Sequence, residues 1–455
     1  MKIRSIFTFL VAILLFPNIN YGQNPIIQTC YTADPAPMVY HDTVYLYTGH
    51  DEDKSTWFTM KDWKCYSSTD MVNWTDHGSP LSLKTFAWAK KDAWAGQCIF
   101  RNGKFYWYVP MNRADGKGMA IGVAVGNRPT GPFVDAIGHP LTYTGTGDID
   151  PTVYIDDDGQ AWLYWGNPNL YYVKLNEDMI SYSGEIVKVP LTESGFGKRF
   201  GDPKRSTLYE EGPWFYKRSG LYYLLYPAGG VPEHLAYSTS KGPTGPWVYQ
   251  DTIMRIIRKG GAFTNHPGLI DYKGKTYLFY HNGALPGGGG FTRSVCVEEF
   301  KYNTDGTIPR ITNTVEGITK SVGNLNPFIR NEAETIAWEV GVKTEMSPEA
   351  GVYVTGINNN DYIKVRSVDF GNGAKSFEAN VSTASQGGKI EIRIDSLTGS
   401  LLGTCSIEEN SGDWKKWITK KCKITRIKGI HDLYFVFLGG EGDLFNFNWW
   451  KFSRK

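Results

Sequence analysis

Five times along the chain a short apolar segment, a polar turn and a strand of alternating aromatics follow one another. The copies are "DPAPMVYHDTVYLYTG" from Asp34, "WAGQCIFRNGKFYWYVP" from Trp94, "DPTVYIDDDGQAWLYWG" from Asp150, "EGPWFYKRSGLYYLLYPAG" from Glu211 and "HPGLIDYKGKTYLFYHNG" from His266. Alternation with period two, interrupted by polar turn residues, predicts paired β-strands. The five heads stand 55 to 61 residues apart, and the last aromatic of each second strand follows its head by 13 to 15 residues. "SSTDMVNW", "GNRPTGPF" and "SKGPTGPW" recur behind the aromatic strands and read as outer strands of the same unit. A repeat of this length and strand content predicts a five-bladed β-propeller over residues 25–320.

The repeat ends near residue 321, at "SVGNLNPFIRNEAETIAWE". Short strands with turn signals follow: "DYIKVRSVDFG", "KSFEANVST", "GKIEIRIDS", "KKWITKKCKI" and "HDLYFVFLG". They predict a β-sandwich of jelly-roll type over residues 328–455. The expected fold class is therefore all-β, a propeller followed by a sandwich.

The propeller prediction gives the heads a chemical meaning. The innermost strand of every blade borders one axis, so Asp34, Trp94, Asp150, Glu211 and His266 should converge. Proline after Asp34, Asp150 and His266 predicts extended backbone at those three residues and removes an N–H where a strand begins. Three carboxylates in one pocket repel, and partial burial adds to the repulsion, so at least one pKa rises. One acid still protonated near neutrality beside one ionised base is what glycoside hydrolysis needs. Glu210 adjoins Glu211, but strand alternation predicts that it faces the other way.

Composition narrows the partners. The 455 residues carry 48 basic and 46 acidic side chains, a net charge of +2 with no basic tract, which argues against nucleic acid. Aromatics make up 15% of the chain, suited both to β-rich cores and to the apolar faces of sugars. "MKIRSIFTFLVAILLFPNINYGQ" has a basic start, an apolar run from Ile6 to Phe16 and a small residue at Gly22. It reads as a signal peptide over residues 1–22, too short in its apolar run for a membrane span. An exported, periplasmic or extracellular protein without a membrane span is expected, as a monomer. Six cysteines are too sparse for a disulfide framework. Cys405 and Cys422 flank an expected hairpin and either pair or remain two thiols.

With these motifs in place, residues 25–320 resemble glycoside hydrolase family 43. The resemblance implies a general base at Asp34 in "ADPAP", an auxiliary aspartate at Asp150 in "DIDPTVY" and a general acid at Glu211 in "YEEGPWFYK". It implies inversion of the anomeric centre, with base and acid roughly 6.5–9.5 Å apart to admit a water. Arg293 matches an arginine reaching into the substrate pocket, and Trp94 a sugar-facing tryptophan, although "WAGQC" lacks the proline usual there. His266 matches a histidine near a calcium ion on the propeller axis, commonly through water; a hydrogen-bonded histidine without metal is the alternative.

Residues 328–455 resemble carbohydrate-binding module family 6, through "NEAE", "GDW" and "FNFNWWKF". That likeness implies a sugar cleft at Tyr362, Trp414 and Asn446, and a second calcium held by Glu332, Glu334 and Asn448, the last replacing an aspartate. No organic cofactor is expected. The implied substrate is a plant cell-wall polysaccharide such as arabinoxylan or arabinan, from which α-L-arabinofuranosyl units are removed. β-Xylosidase, endo-arabinanase and exo-β-1,3-galactosidase remain open within the family. A non-catalytic glycan-binding propeller is disfavoured, because a pure binder has no need of a general acid.

Overall fold

The computed structural model describes residues 23–454 except Thr146 and residues 409–411; the expected leader lies outside the described residues. Among these, regular structure is β apart from the four-residue α-helix Glu193–Phe196 and a 3-10 turn at Leu83–Thr85. Five antiparallel sheets follow one another in the order of the five repeats. The first blade comprises Thr32–Tyr40, Thr43–Asp51, Met60–Ser68 and Trp74–Asp76, and the second Gln97–Arg101, Lys104–Arg113, Met119–Gly126 and Phe133–Asp135. The third holds Thr152–Ile155, Ala161–Trp165, Tyr171–Leu175 and Tyr182–Lys188, and the fourth Trp214–Arg218, Leu221–Ala228, His234–Ser240 and Val248–Met254. The fifth has three strands, Gly268–Tyr272, Lys275–Asn282 and Ser294–Phe300.

The alternating aromatics of the second strands explain how the blades stack. Both faces of a blade meet a neighbour, so Tyr47, Tyr108, Tyr164 and Tyr226 are all wholly buried. Tyr47 meets Trp107 of the next blade edge-on at 4.7 Å, and Tyr164 meets Phe215 of the next at 4.8 Å. Polar bonds join neighbouring blades. Val153 N–H donates to Gln97 Oε1 (2.8 Å), Phe215 N–H to Thr152 Oγ1 (3.1 Å) and Val295 N–H to Thr32 Oγ1 (3.2 Å). Closure between the fifth and first blades is so tight that a Cβ on Gly268 would lie 2.5 Å from the Pro35 carbonyl oxygen. Only glycine fits there.

The C-terminal region is a β-sandwich. One sheet carries Lys343–Ser347, Gly351–Thr355, Asn446–Ser453, Ala374–Ser382 and Ile418–Ile427; the other carries Trp338–Val340, Tyr362–Asp369, Ile430–Gly439, Gly388–Ile394 and Leu401–Ile407. From residue 355 on the chain changes sheet at every connection except the hairpin between Ile394 and Leu401, a jelly-roll path. Phe377, Phe435, Phe437, Phe447, Trp450 and Phe452 fill the space between the sheets. Cys405 and Cys422 do not flank a hairpin, since their strands belong to opposite sheets. They meet across that gap, and contact with Cys422 together with burial raises the Cys405 thiol.

The two regions share a sheet. Thr335–Ile336, from the start of the sandwich, forms the outermost strand of the first blade, with Thr335 opposite Thr75 and Ile336 opposite Trp74. Arg366 of the sandwich donates to Gln23 Oε1 (2.6 Å) and to the carbonyls of Ile318 (2.9 Å) and Thr319 (2.6 Å). Asn73 exchanges two hydrogen bonds with the Arg366 backbone, at 2.8 and 2.9 Å. The turn-rich stretch after residue 320 is thus pinned rather than a free tether.

Candidate active site

All five heads line one cavity of about 460 Å³, together with Arg293. Asp34 and Asp150, only 6% exposed each, do not take the extended backbone that a following proline predicts: their φ angles are +53° and +57°. Aspartate is among the residues that tolerate this left-handed region, and such backbone persists where the surroundings over-determine it. At Asp34 a register break between Ala33 and Ala36 re-aims the chain. Its N–H then donates to His281 Nδ1 at 3.1 Å, while His281 Nε2 donates to the Thr264 carbonyl at 2.9 Å. His281 is therefore neutral, with its lone pair facing Asp34.

The carboxylate of Asp34 is held by Arg293, whose Nη1 donates to Oδ1 at 3.0 Å. Arg293 is itself clamped by the wholly buried Asp51, which accepts from Nε and Nη2 at 3.0 Å each and from the Arg293 N–H at 2.8 Å. The guanidinium also lies 5.0 Å from the Phe58 ring centroid. Burial nonetheless pushes Asp34 up to about 6, with Arg293 opposing and Asp51 reinforcing. His266, its Nδ1 3.9 Å from Asp34 Oδ1, is driven down to about 3 by burial and by Arg293, so it is neutral.

On the far side, Asp150 Oδ2 accepts from the Gly212 N–H at 3.0 Å. Burial raises Asp150 well above the usual carboxylate range, and Glu211 and Asp34 add to the rise. Glu211 Oε2 accepts from Asn167 Nδ2 at 2.5 Å. Burial lifts Glu211 to about 7 against that bond, with Asp34 contributing. Glu210 is not turned away as alternation predicts. Both glutamates precede the strand Trp214–Arg218, and both line the cavity. What separates them is charge: Glu210 is ion-paired with Arg199 and Arg205, whereas among the described residues Glu211 has no cation in direct contact.

Residues 22–308 match the glycosyl hydrolases family 43. The chain belongs to that family. It is a glycoside hydrolase, and its residues 332–454 match the carbohydrate binding module (family 6). An arabinoxylan arabinofuranohydrolase of Bacillus subtilis (strain 168) is 33% identical over 501 residues, spanning 95% of this chain and 93% of that protein. The crystal structure of a family 43 arabinoxylan arabinofuranohydrolase from Bacillus subtilis in complex with cellotetraose superposes with a TM-score of 0.82. It is 30% identical and covers 95% of this chain and 98% of that one. A GH43 β-xylosidase/α-arabinofuranosidase from a compost microbial metagenome, solved with xylotriose in a calcium-free form, gives a TM-score of 0.56. It is 29% identical and covers 63% of this chain and 96% of its own.

Around the family 43 cavity stands an aromatic wall. Trp94 donates its Nε1–H to the Phe58 carbonyl at 2.9 Å, and Phe58 meets Phe291 edge-on at 4.8 Å. Trp57 (58% exposed) and Phe263 (45% exposed) continue this wall to the rim.

In the family 6 module, Trp414 and Asn446 come together. The Trp414 carbonyl accepts from Ser382 Oγ at 2.6 Å and lies 3.5 Å from Asn446 Nδ2, and Asn446 Oδ1 accepts from Thr355 at 2.8 Å. Tyr362 belongs to the opposite sheet, 7% exposed, its ring 6.3 Å from that of Tyr434. Of the three residues matched to calcium, Glu332 is bound at two points by Arg330, at 2.8 Å each. Glu334 Oε2 and Asn448 Oδ1 are buried with no hydrogen bond among the described residues.

Asp51, Asn167 and His281 are the functional neighbours that sequence reasoning missed. Each stands just past the last aromatic of a second strand, in "YTGHD", "YWGNP" and "FYHNG". Polar residues recurring at that edge were the available signal.

Proposed function

We propose that the protein removes α-L-arabinofuranosyl units from arabinoxylan or arabinan with inversion. Asp34 activates water, Glu211 protonates the departing oxygen, and Asp150, fixed by the Gly212 N–H next to Glu211, orients that acid. The observation that carries the roles is the unequal holding of the three acids. Asp34 alone has a cation against it, which favours its ionised form, whereas Glu211 is raised to about 7 with only an amide as partner. A base and an acid with opposite charge states at one pH are what inverting hydrolysis requires. The names of the relatives support the arabinofuranosyl substrate. The metagenome enzyme, described as both xylosidase and arabinofuranosidase, favours a xyloside as the second reading. Hydrolysis of aryl glycosides of arabinofuranose, xylose and galactose separates these substrates. Proton NMR of fresh product tests the roles: the inverted anomer should form first, and initial retention would refute them.

Two further expectations belong to this reading. Calcium fits the module, where orphaned oxygens of Glu334 and Asn448 are buried beside Glu332, since oxygen donors suit that ion. Bound there, it would neutralise the Glu334 carboxylate, which burial otherwise holds well above its ordinary range. The axis fits a metal less well. Arg293 already supplies positive charge beside His266, and the only trio of close ligand side chains among the described residues is His50, Glu52 and Asp62 on the first blade. A calcium near His266 would be held through water. Export is supported by the signal-like N-terminus, and no helix among the described residues is long and apolar enough to cross a membrane.

A further inference from the structure

The cavity contains a fifth carboxyl group that the roles above do not use. Glu233 ends the loop "GGVPE" between the second and third strands of the fourth blade and is 5% exposed. Gly229 and Gly230 have φ of +82° and +86°, and a Cβ on Gly230 would lie 2.6 Å from Arg199 Nη2. The loop is therefore folded down onto the arginine that holds Glu210, which carries Glu233 into the cavity. Two bonds fasten it to the segment leading to His266. The Glu233 N–H donates to the Phe263 carbonyl at 3.2 Å, and Oε2 accepts from the Asn265 N–H at 2.9 Å.

Each of the other cavity acids is held by arginine or already has a role in the reaction. Asp34 has Arg293, Glu210 has two arginines, Glu211 has the Asn167 amide, and Asp150 has the Gly212 N–H at the centre of the acid cluster. Glu233 has one backbone N–H and no cation, and among the described residues its Oε1 has no partner. That oxygen is not among the sealed, unpartnered atoms of the described residues, so it is open to the cavity and free to meet a ligand. Burial, then the charge of Glu211, holds Glu233 well above the ordinary range, which favours a protonated carboxyl able to donate as well as accept. A sugar hydroxyl is the complementary group, since it also does both.

We propose that Glu233 is a substrate-binding residue whose carboxyl pairs with one hydroxyl of the sugar unit held in the cavity. This rests on the glycosidase reading of the site but not on which sugar is cleaved.

The test is a double-mutant cycle between the residue and the substrate. The parent enzyme, Glu233→Ala and Glu233→Gln are assayed on an aryl α-L-arabinofuranoside and on its 2-, 3- and 5-deoxy analogues. On the full sugar, Glu233→Ala should lower kcat/KM by about tenfold to a hundredfold, and Glu233→Gln, which still donates and accepts, by less than about tenfold. On one deoxy analogue the Ala penalty should shrink to about threefold or less, while it persists on the other two. Equal penalties on all analogues would overturn the proposal, as would full activity of Glu233→Ala. If Glu233→Ala does not fold, the same cycle with Glu233→Met, near in size but without a hydrogen-bonding group, decides. If the parent cleaves only xylosides, the substrate reading fails and the cycle is run on deoxyxylosides. If it cleaves neither, calorimetric binding of arabinose and xylose to the parent and the variants decides: equal affinities refute the role of Glu233.

Discussion

The axial cavity of the propeller and the open end of the sandwich hold similar side chains under opposite conditions. In the cavity, Asp34 is positioned by His281, Arg293 and, through Arg293, by Asp51, groups from the first and fifth blades that converge on one carboxylate. In the module, Trp414 is 36% exposed and its neighbourhood with Asn446 depends on the loop that follows Leu401–Ile407. Positions fixed by several elements at once make preorganised chemistry possible. A position carried on one loop suits binding, where small adjustments are tolerated. Substitutions in the two regions should therefore differ in scale.

The largest effect is expected from the acids on the axis. Asp34→Ala should abolish turnover on every substrate, because the attacking water stays unactivated whatever the leaving group. Glu211→Ala should lose about 10²–10⁴-fold on substrates with poor leaving groups and far less on activated aryl glycosides. Steady-state rates on a leaving-group series check both; equal losses for Glu211→Ala across the series would remove its role as acid.

Next comes the seam between the regions. Deleting residues 321–455 removes the strand Thr335–Ile336 from the first blade and Arg366 from Gln23, Ile318 and Thr319. The buried Trp74 then faces water at a newly opened sheet edge. The truncated enzyme should melt at lower temperature and lose activity even on small aryl glycosides, read by thermal denaturation beside initial rates. Unchanged melting would show that the two regions are separable after all.

The pH profile sharpens the picture of the cavity. Asp34, pushed up to about 6, must be ionised, and Glu211, pushed up to about 7, must be protonated. kcat/KM should fall on the acid side as Asp34 takes up a proton and on the alkaline side as Glu211 loses one, leaving a narrow bell between these values. Asn167→Ala should move the alkaline limb upward, since the Asn167 hydrogen bond favours ionised Glu211.

The smallest effect is expected at Trp414. Its replacement by alanine should leave rates on aryl glycosides unchanged and slow hydrolysis of insoluble arabinoxylan severalfold, because a linked binding surface raises local substrate concentration only. Unchanged rates on the polysaccharide would make this end of the module structural.

The heads of the blades were legible because a repeat places equivalent residues at equivalent points around one axis. Asp51, Asn167 and His281 were less so, since they follow the repeat tyrosines Tyr47, Tyr164 and Tyr280 by four, three and one residues and share no register. Glu233 sits in the connection between the second and third strands of its blade, outside the phrase that repeats. Proline misled at Asp34 and Asp150, because its local preference for extended backbone lost to several tertiary contacts. In the sandwich, Tyr362 reads as exposed aromatic chemistry in sequence, yet its strand buries it against Tyr434.

Periodicity is a short-range property, and it was enough to determine the all-β architecture, the five blades, the break near residue 321 and the candidate acids. Charge state and shared edges are long-range properties. Arg293 meets Asp51 across 242 residues, and Thr335 meets Thr75 across 260. Such pairings leave no trace in local alternation, since they exist only once the blades close. They decide which carboxylate has a cation set against it, and why the sandwich is part of the propeller's outer wall.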